Sequence, residues 1–347
     1  MKRVLITTTI HVPENLRAWR NAGMSLEDVV IVAGDTNSPH EAIEAFLKTL
    51  PGDNRYLRPE DQLKWRCSSV IGWKSVQRRN IALLEAMVLK PDYIVTVDDD
   101  NFPLAGNHFS GWDAHLDGSD TTYDTVSSDN GWWNYGEMLA PSVVMRGFPL
   151  EVRHAHPNLR RVTAERLVGL TAALWLGDPD CDAIQRIERA PETLAVTQRD
   201  AVLEYGTWCP FNSQATAYLG VLAPLMNVWP FVGRYDDIWS SLLAQRVMLK
   251  LGYTIRVGGP AVRQTRNPHN FLTDLKNEML GLEYTWELAD VLRNMALPPI
   301  VTTRVTPEVV LDALVSAYQN LLTVDFLPAD LKAFFHAWSL DCITALQ

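Results

Sequence analysis

Short β-branched apolar runs alternate with amphipathic stretches over the first hundred residues, and this alternation constrains the fold most. "RVLITTT" (Arg3–Thr9), "DVVIVAGD" (Asp28–Asp35) and "YIVTV" (Tyr93–Val97) carry apolar residues on both faces, as strands buried from both sides do. Between them, Pro13 opens one helix that ends near Gly23, and Pro39 opens another that runs to about Leu50. "VQRRNIALLEAMVL" (Val76–Leu89) sets Val76, Ile81, Leu84 and Val88 at helical spacing, and Pro91 stops it. Strand and helix alternating at this rhythm predict a parallel α/β arrangement. In such sheets ligands gather beyond the carboxyl ends of the strands.

Three aspartates, Asp98, Asp99 and Asp100, follow the third strand directly. Adjacent like charges repel, so a cation or a ligand donor is what makes them worth holding together. Carboxylate oxygens are hard ligands that suit Mg²⁺ or Mn²⁺, ions that bridge to phosphate. Alternate carboxylates, Asp98 and Asp100, can face one side and hold a metal-bound diphosphate. The plainer alternative is a solvated turn.

Later segments are less regular. "SDTTYDTVSSDNGWWNYG" reads as a strand pair with exposed loops, and "RLVGLTAALWL" as a strand or buried segment. "SQATAYLGVLAPLM" reads as a strand running into a helix, and "YTIRVGG" as the last strand. "RYDDIWSSLLAQRVMLKLG" is an amphipathic helix with Asp236 and Asp237 at its start. Those two serve as helix cap and dipole partners, or one is a general base or sugar ligand. From about Asn270 onward the pattern is helical. We therefore expect a first domain over 1–268 and a helical C-terminal region over 269–347, whose surface could serve a homo-oligomer.

Arginines offer phosphate forks. Arg146 and Arg153 flank a Gly-Phe-Pro turn in "RGFPLEVR". Arg78 and Arg79 open a helix before the aspartates, and Arg263, Arg266 and His269 follow the last strand. Asp178, Asp180 and Asp182 alternate in "GDPDCDA", a loop that could line a sugar pocket. No G-x-S-x-G, H-E-x-x-H, P-loop or G-x-G-x-x-G sequence is present.

Composition excludes some classes. With 31 basic and 41 acidic residues the net charge is −10, which argues against general nucleic-acid binding. At 347 residues and 47% hydrophobic, the chain can bury a large core without staples. The four cysteines are scattered, as in a cytoplasmic protein with reduced thiols. The opening "MKRVLITTTIHVPENL" has too short an apolar run for a signal peptide, and no segment approaches the about 20 apolar residues of a membrane span. Twelve tryptophans leave room for indole stacking on a sugar.

"VDDDNF", "RGFPLEVR", "LWLGDPDCDA", "GRYDDIW" and "NPHNFLTDLKNE" occur in this order. In them the chain resembles the reversibly glycosylated polypeptides, the glycosyltransferase-like family that includes plant UDP-arabinopyranose mutases. The resemblance implies an α/β GT-A-type nucleotide-diphospho-sugar transferase fold, a Rossmann-like mixed sheet with a helical C-terminal appendage. It implies that Asp98, Asp99 and Asp100 hold metal (Mn²⁺ or Mg²⁺, on Asp98 and Asp100) and UDP-sugar. Arg153 matches the family's self-glycosylated or essential arginine, and Arg146 opens the same motif. Asp236 and Asp237 match the acidic pair near sugar and acceptor. Arg79 stands where the family carries an arginine before the triplet. Where the family has a histidine in "HSKASNP", this chain has "RQTRNP", so either metal coordination uses fewer protein ligands or Arg263 or Arg266 takes over part of the diphosphate charge. The implied activity is metal-dependent transfer from a UDP-sugar, UDP-glucose or similar, to an unknown acceptor. Alternatives are a UDP-arabinopyranose mutase and a non-catalytic nucleotide-sugar binder.

Overall fold

The computed structural model describes residues 1–347 apart from 105, 199, 267–268 and 300–303. Asn267 and Pro268, which open the "NPHN" motif and end the expected first domain, lie outside the described residues. In chain order the elements are β1 (Arg3–Thr9), α1 (Asn15–Asn21), β2 (Val29–Gly34), α2 (His40–Leu47), β3 (Asp53–Leu57), α3 (Arg66–Ile71), α4 (Arg79–Val88) and β4 (Tyr93–Val97). Then come β5 (Asn101–Pro103), α5 (His108–Asp113), β6 (Asp120–Ser128), β7 (Leu139–Ala140), β8 (Leu159–Gly177), α6 (Ala183–Glu188), β9 (Ala195–Val196), β10 (Asp200–Leu203) and β11 (Ala215–Leu219). The chain continues with α7 (Asp236–Lys250), β12 (Tyr253–Gln264), α8 (Phe271–Asn294), α9 (Pro307–Leu321) and α10 (Ala329–Leu346).

Ten strands form one sheet in the order β3-β2-β1-β4-β11-β8-β6-β10-β12-β5, with β8 also pairing β12. The first four run parallel, as the alternating pattern predicts, in a register that sets Ile6 beside Ile31 and Thr96. β11 pairs antiparallel to β4 on one side and to β8 on the other. The fold is thus the mixed α/β sheet with C-terminal helices that the resemblance implies.

β4 lies between β1 and β11 with all five residues buried. Its last residue, Val97, delivers the aspartate triplet to the carboxyl edge of the parallel strands. Beyond the triplet the chain turns into the short β5, which pairs with the end of β12 from Phe102 to Arg263. β12 runs past "YTIRVGG" to Gln264. That extension carries the C-terminal end of β12 up to the triplet, with the Thr265 N–H donating to the Asp100 carbonyl at 3.1 Å.

The tryptophans build the interior. Eight are fully buried, among them Trp19, Trp112, Trp239 and Trp338, and they pack in one apolar cluster that runs from Val4 to Ala345. α10 packs on α3, α4 and α9, and α8 and α9 both pack on α7. Buried polar links tie these layers: Trp338 Nε1 donates to the Pro224 carbonyl at 2.9 Å, and Trp239 Nε1 to Thr285 Oγ1 at 2.8 Å. Among the described residues no helix is long and apolar enough to cross a membrane. The four cysteines are free and buried.

Candidate active site

A cleft opens at the carboxyl edge of β1, β2 and β4, in two compartments that share Lys74, Ser75, Val76, Arg79, Asp98 and Asp100. The first, about 330 Å³, is walled by Thr9, Asp35, Asn37 and Asp99. The second, about 600 Å³, adds Asp236, Asp237, Arg146, Arg266, His269, Gln214 and Gln264. No tryptophan is among the described residues that line either compartment.

Each carboxylate of the triplet has a different setting. The Arg79 guanidinium donates to Asp98 Oδ1 and to Ser213, whose Oγ lies at 2.5 Å. Burial raises the Asp98 carboxyl, and Arg79 opposes that rise. Asp99 accepts from Thr9 Oγ1 at 2.5 Å and faces only the first compartment. Asp100 accepts from Asn101 Nδ2 at 2.9 Å and sits 3.5 Å from Gln264 Nε2. Burial, then the neighbouring Asp98 charge, push the Asp100 carboxyl up to about 7.

The "GRYDDIW" pair divides as well. Asp237 accepts from Arg146 at 3.1 Å and from both the N–H and the Oγ of Ser213, at 2.9 and 3.0 Å. It is the clamp between α7 and the loop before β11. Asp236 has no cationic partner in hydrogen-bond contact. It accepts from Gln77 Nε2 at 2.7 Å and from the Asp237 N–H at 3.0 Å. Burial, then Asp237, push its carboxyl up to about 7. Glycines permit this packing. Gly233 sits at φ +62 against α8, where a Cβ would lie 2.0 Å from the Asn277 carbonyl oxygen. Gly147 (φ +91) would drive a Cβ to 2.3 Å from Ile238.

Arginines sort into clamps and cleft residues. Arg146 spends its fork on Asp180, with Nε and Nη2 both at 2.9 Å, and its Nη1 on the Arg234 carbonyl. It lines the cleft with four of its five N–H groups already engaged, by Asp180, Asp237 and the Arg234 carbonyl. Burial would raise Asp180, yet Arg146 holds it below the usual carboxylate range. Arg153 lies outside the lining of either compartment. Its guanidinium forks onto Asp182, and that pair is buried. Asp180 and Asp182 therefore hold arginines rather than a sugar. Arg78 is buried too, bonded to Gln62 and Ser68 beneath the Trp73 ring at 3.9 Å. Arg263 is exposed, turned by strand alternation away from the face that carries Gln264.

Arg266 is different. Its side chain is 8% exposed, Asp178 and Asp180 stand 3.3 and 3.9 Å away, and Nε and Nη2 still lack a hydrogen-bond acceptor. Burial, and repulsion from Arg186, lower its pKa. Arg266 thus presents an incompletely hydrogen-bonded guanidinium, beside two carboxylates, to the wall of the second compartment. Lys74 joins it from the facing loop, at a left-handed φ of +59. Its loop is pinned by Asp35, which accepts from the Ser75 N–H at 2.9 Å. Phe231, another non-glycine residue at positive φ (+70), lines the same compartment. Such strain concentrates at working sites. Lys74, Gln77, Asp35, Gln214 and Gln264 are cleft residues that sequence reasoning misses; the pattern of their stretches marks strands and helices, not which side chains reach the cleft.

Among the described residues no three His, Cys, Asp or Glu side chains converge as a metal group. Oxygen donors are nevertheless in place. Beside Asp98 and Asp100 the cleft holds Gln214 and Gln264, whose Oε1 atoms are buried without a donor. An oxygen-rich set with unsatisfied acceptors fits a hard divalent cation.

No family model matches the chain. Similar curated proteins include the probable UDP-arabinopyranose mutase 1 of Solanum tuberosum, 24% identical, covering 86% of this chain and 79% of that protein. UDP-arabinopyranose mutase 1 of Oryza sativa subsp. japonica is 22% identical, covering 85% and 78%. Among solved structures, S. aureus TarS 1-349 in complex with UDP aligns with a TM-score of 0.41 at 11% identity, over 100% of this chain and 89% of that one. Over most of its length, then, the chain is similar to proteins named UDP-arabinopyranose mutase, the relatives that its motifs imply.

Proposed function

We propose that the chain is an enzyme acting on a UDP-sugar, and that it interconverts the ring forms of a UDP-pentose. The observation that carries this is the meeting, in one cleft, of the triplet, the half-satisfied Arg266 and the uncompensated Asp236, in a chain similar to named mutases. In this reading Asp99 and Asp35 hold the nucleoside in the first compartment. Arg266 and Lys74 take the diphosphate, and the sugar lies beside Asp236. A divalent cation on Asp98 and Asp100 would neutralise charge on the departing UDP.

In pyranose-to-furanose exchange the C1–O5 bond breaks and a C1–O4 bond forms, with UDP leaving C1 and returning to it, so that a proton is lost from O4 and one is gained at O5. A carboxyl poised near neutral pH can both take and return that proton. Asp236 has that poise, and Gln77 orients it. Asp237, held by Arg146 and Ser213, positions the helix instead. Arg153 has no sugar-accepting role in this reading, because both of its terminal nitrogens are committed to Asp182.

A second reading, transfer from a UDP-sugar to an acceptor, draws on the about 600 Å³ of the second compartment, which leaves room beside one pentose. Incubation with UDP-arabinopyranose and chromatography of the products tests the choice. Ring contraction without net UDP release is the expected result. Release of UDP with no furanose form would sink the mutase reading and favour transfer.

A further inference from the structure

We infer that Phe231 is the platform for the sugar, its phenyl face stacked on the C–H face of the sugar ring. This rests on the reading that a UDP-sugar fills the cleft, and it names the residue that separates the sugar-nucleotide from the bare nucleotide. The second compartment is otherwise largely polar. Phe231 is the one Phe, Tyr or Trp side chain among its described lining residues, and it is 44% exposed. A sugar ring carries hydroxyls around its rim and C–H bonds on its faces. A polar pocket with one flat apolar wall matches both.

The backbone at this residue is strained. Phe231 stands at φ +70, in the left-handed region. A bulky side chain is an outlier there, and a turn that asks only for this conformation takes glycine or asparagine. Core packing does not offset the strain. Pro230 and Val232 on either side are buried, while Phe231 is exposed between them. A strained aromatic residue that stays out of the core and faces a cleft is placed for a molecule in that cleft.

The same loop carries Asp236. The Trp229 N–H donates to the Asp236 carbonyl at 3.1 Å, which closes residues 229–236 into a ring that includes Phe231. Gly233 lets this ring press on α8, where a Cβ would meet the Asn277 carbonyl oxygen at 2.0 Å. Gln77 Nε2, from the segment that carries Lys74, donates to Asp236 at 2.7 Å. Platform and carboxyl thus belong to one closed loop held from two sides. In the proposed reading the nucleoside occupies the first compartment, whose lining does not include Phe231. The phenyl ring therefore acts on the sugar and not on the base.

The test is calorimetric binding of UDP and of UDP-arabinopyranose to wild type, Phe231→Asn and Phe231→Leu. Asparagine suits the left-handed backbone and removes the ring. Leucine keeps bulk and apolarity but not the flat face. Phe231→Asn should raise the Kd of UDP-arabinopyranose about 5- to 10-fold and that of UDP less than about 2-fold. Phe231→Leu should move the ratio of the two Kd values in the same direction. Equal weakening of both ligands would mean that the ring only shapes the loop. Unchanged affinity for UDP-arabinopyranose would mean that it touches no sugar. Either result overturns the assignment and leaves the UDP-sugar reading standing. Wild type that fails to bind UDP-arabinopyranose overturns that reading, and this inference with it. If Phe231→Asn does not fold, the ratio in Phe231→Leu decides.

Discussion

Asp236 and Asp237 are neighbours in sequence with opposite fates. The difference is one guanidinium: Arg146 reaches Asp237 and not Asp236. With its carboxyl at about 7, Asp236 holds a proton in the native state that an unfolded aspartate loses near pH 4. The native state therefore binds more protons across that window, and unfolding free energy falls as pH rises through it. We expect Asp236→Asn to remove part of this slope in urea unfolding measured at pH 5 and pH 7.5, and to lower kcat roughly 10²- to 10⁴-fold. An unchanged slope would show that the group is ionised throughout. Arg153→Ala should act in the reverse sense. Breaking its buried pair with Asp182 costs about 3–5 kcal/mol of stability, read by denaturation. The kcat of the folded fraction should stay within a factor of about 3. A large kcat loss at unchanged stability would return Arg153 to the chemistry.

Elements differ in how plainly the sequence announces them. β1, β2 and β4 are buried from both sides, and their continuous apolar runs say so. β3, "DNRYL", sits at the sheet edge with no buried residue, so it carries no apolar signal to read. β8 is legible only in its second half. Its first part, "LRRVTAER", pairs with β6 on a half-wet surface. The site follows the same rule. The triplet and the "GRYDD" pair are visible because charge stands beside apolar pattern. Gln77, Gln214 and Gln264 are uncharged, and only the fold brings them to the cleft. A related case is Asp341, fully buried on α10. Its two oxygens accept from the Arg66 and Cys67 N–H groups, at 3.0 and 2.7 Å, and so close the N-terminus of α3. Asp341→Ala leaves those donors buried and unpaired, and should cost about 2–3 kcal/mol in urea denaturation. A loss below about 0.5 kcal/mol would mean that water replaces the carboxylate.

At the scale of the molecule, the question is whether the C-terminal helices are an appendage or part of the body that forms the cleft. Their burial argues for the latter. Leu314, Leu321, Phe334 and Trp338 are enclosed in the same apolar cluster as the strands. Tyr318 reaches Asn227 at 3.1 Å, and α9 packs on α7, the helix that carries Asp236. Removing the helices would strip that layer and expose its apolar faces. We therefore predict one cooperative transition for the whole chain, with tryptophan fluorescence, far-UV circular dichroism and calorimetry coincident. In the proposed reading UDP binds only the native cleft, so at about 100 times its dissociation constant it should add about 2.7 kcal/mol of stability. Coupled through one core, that gain must move the entire transition, the C-terminal helices included. Two calorimetric transitions, with UDP shifting only one, would show that residues 269–347 fold apart from the cleft.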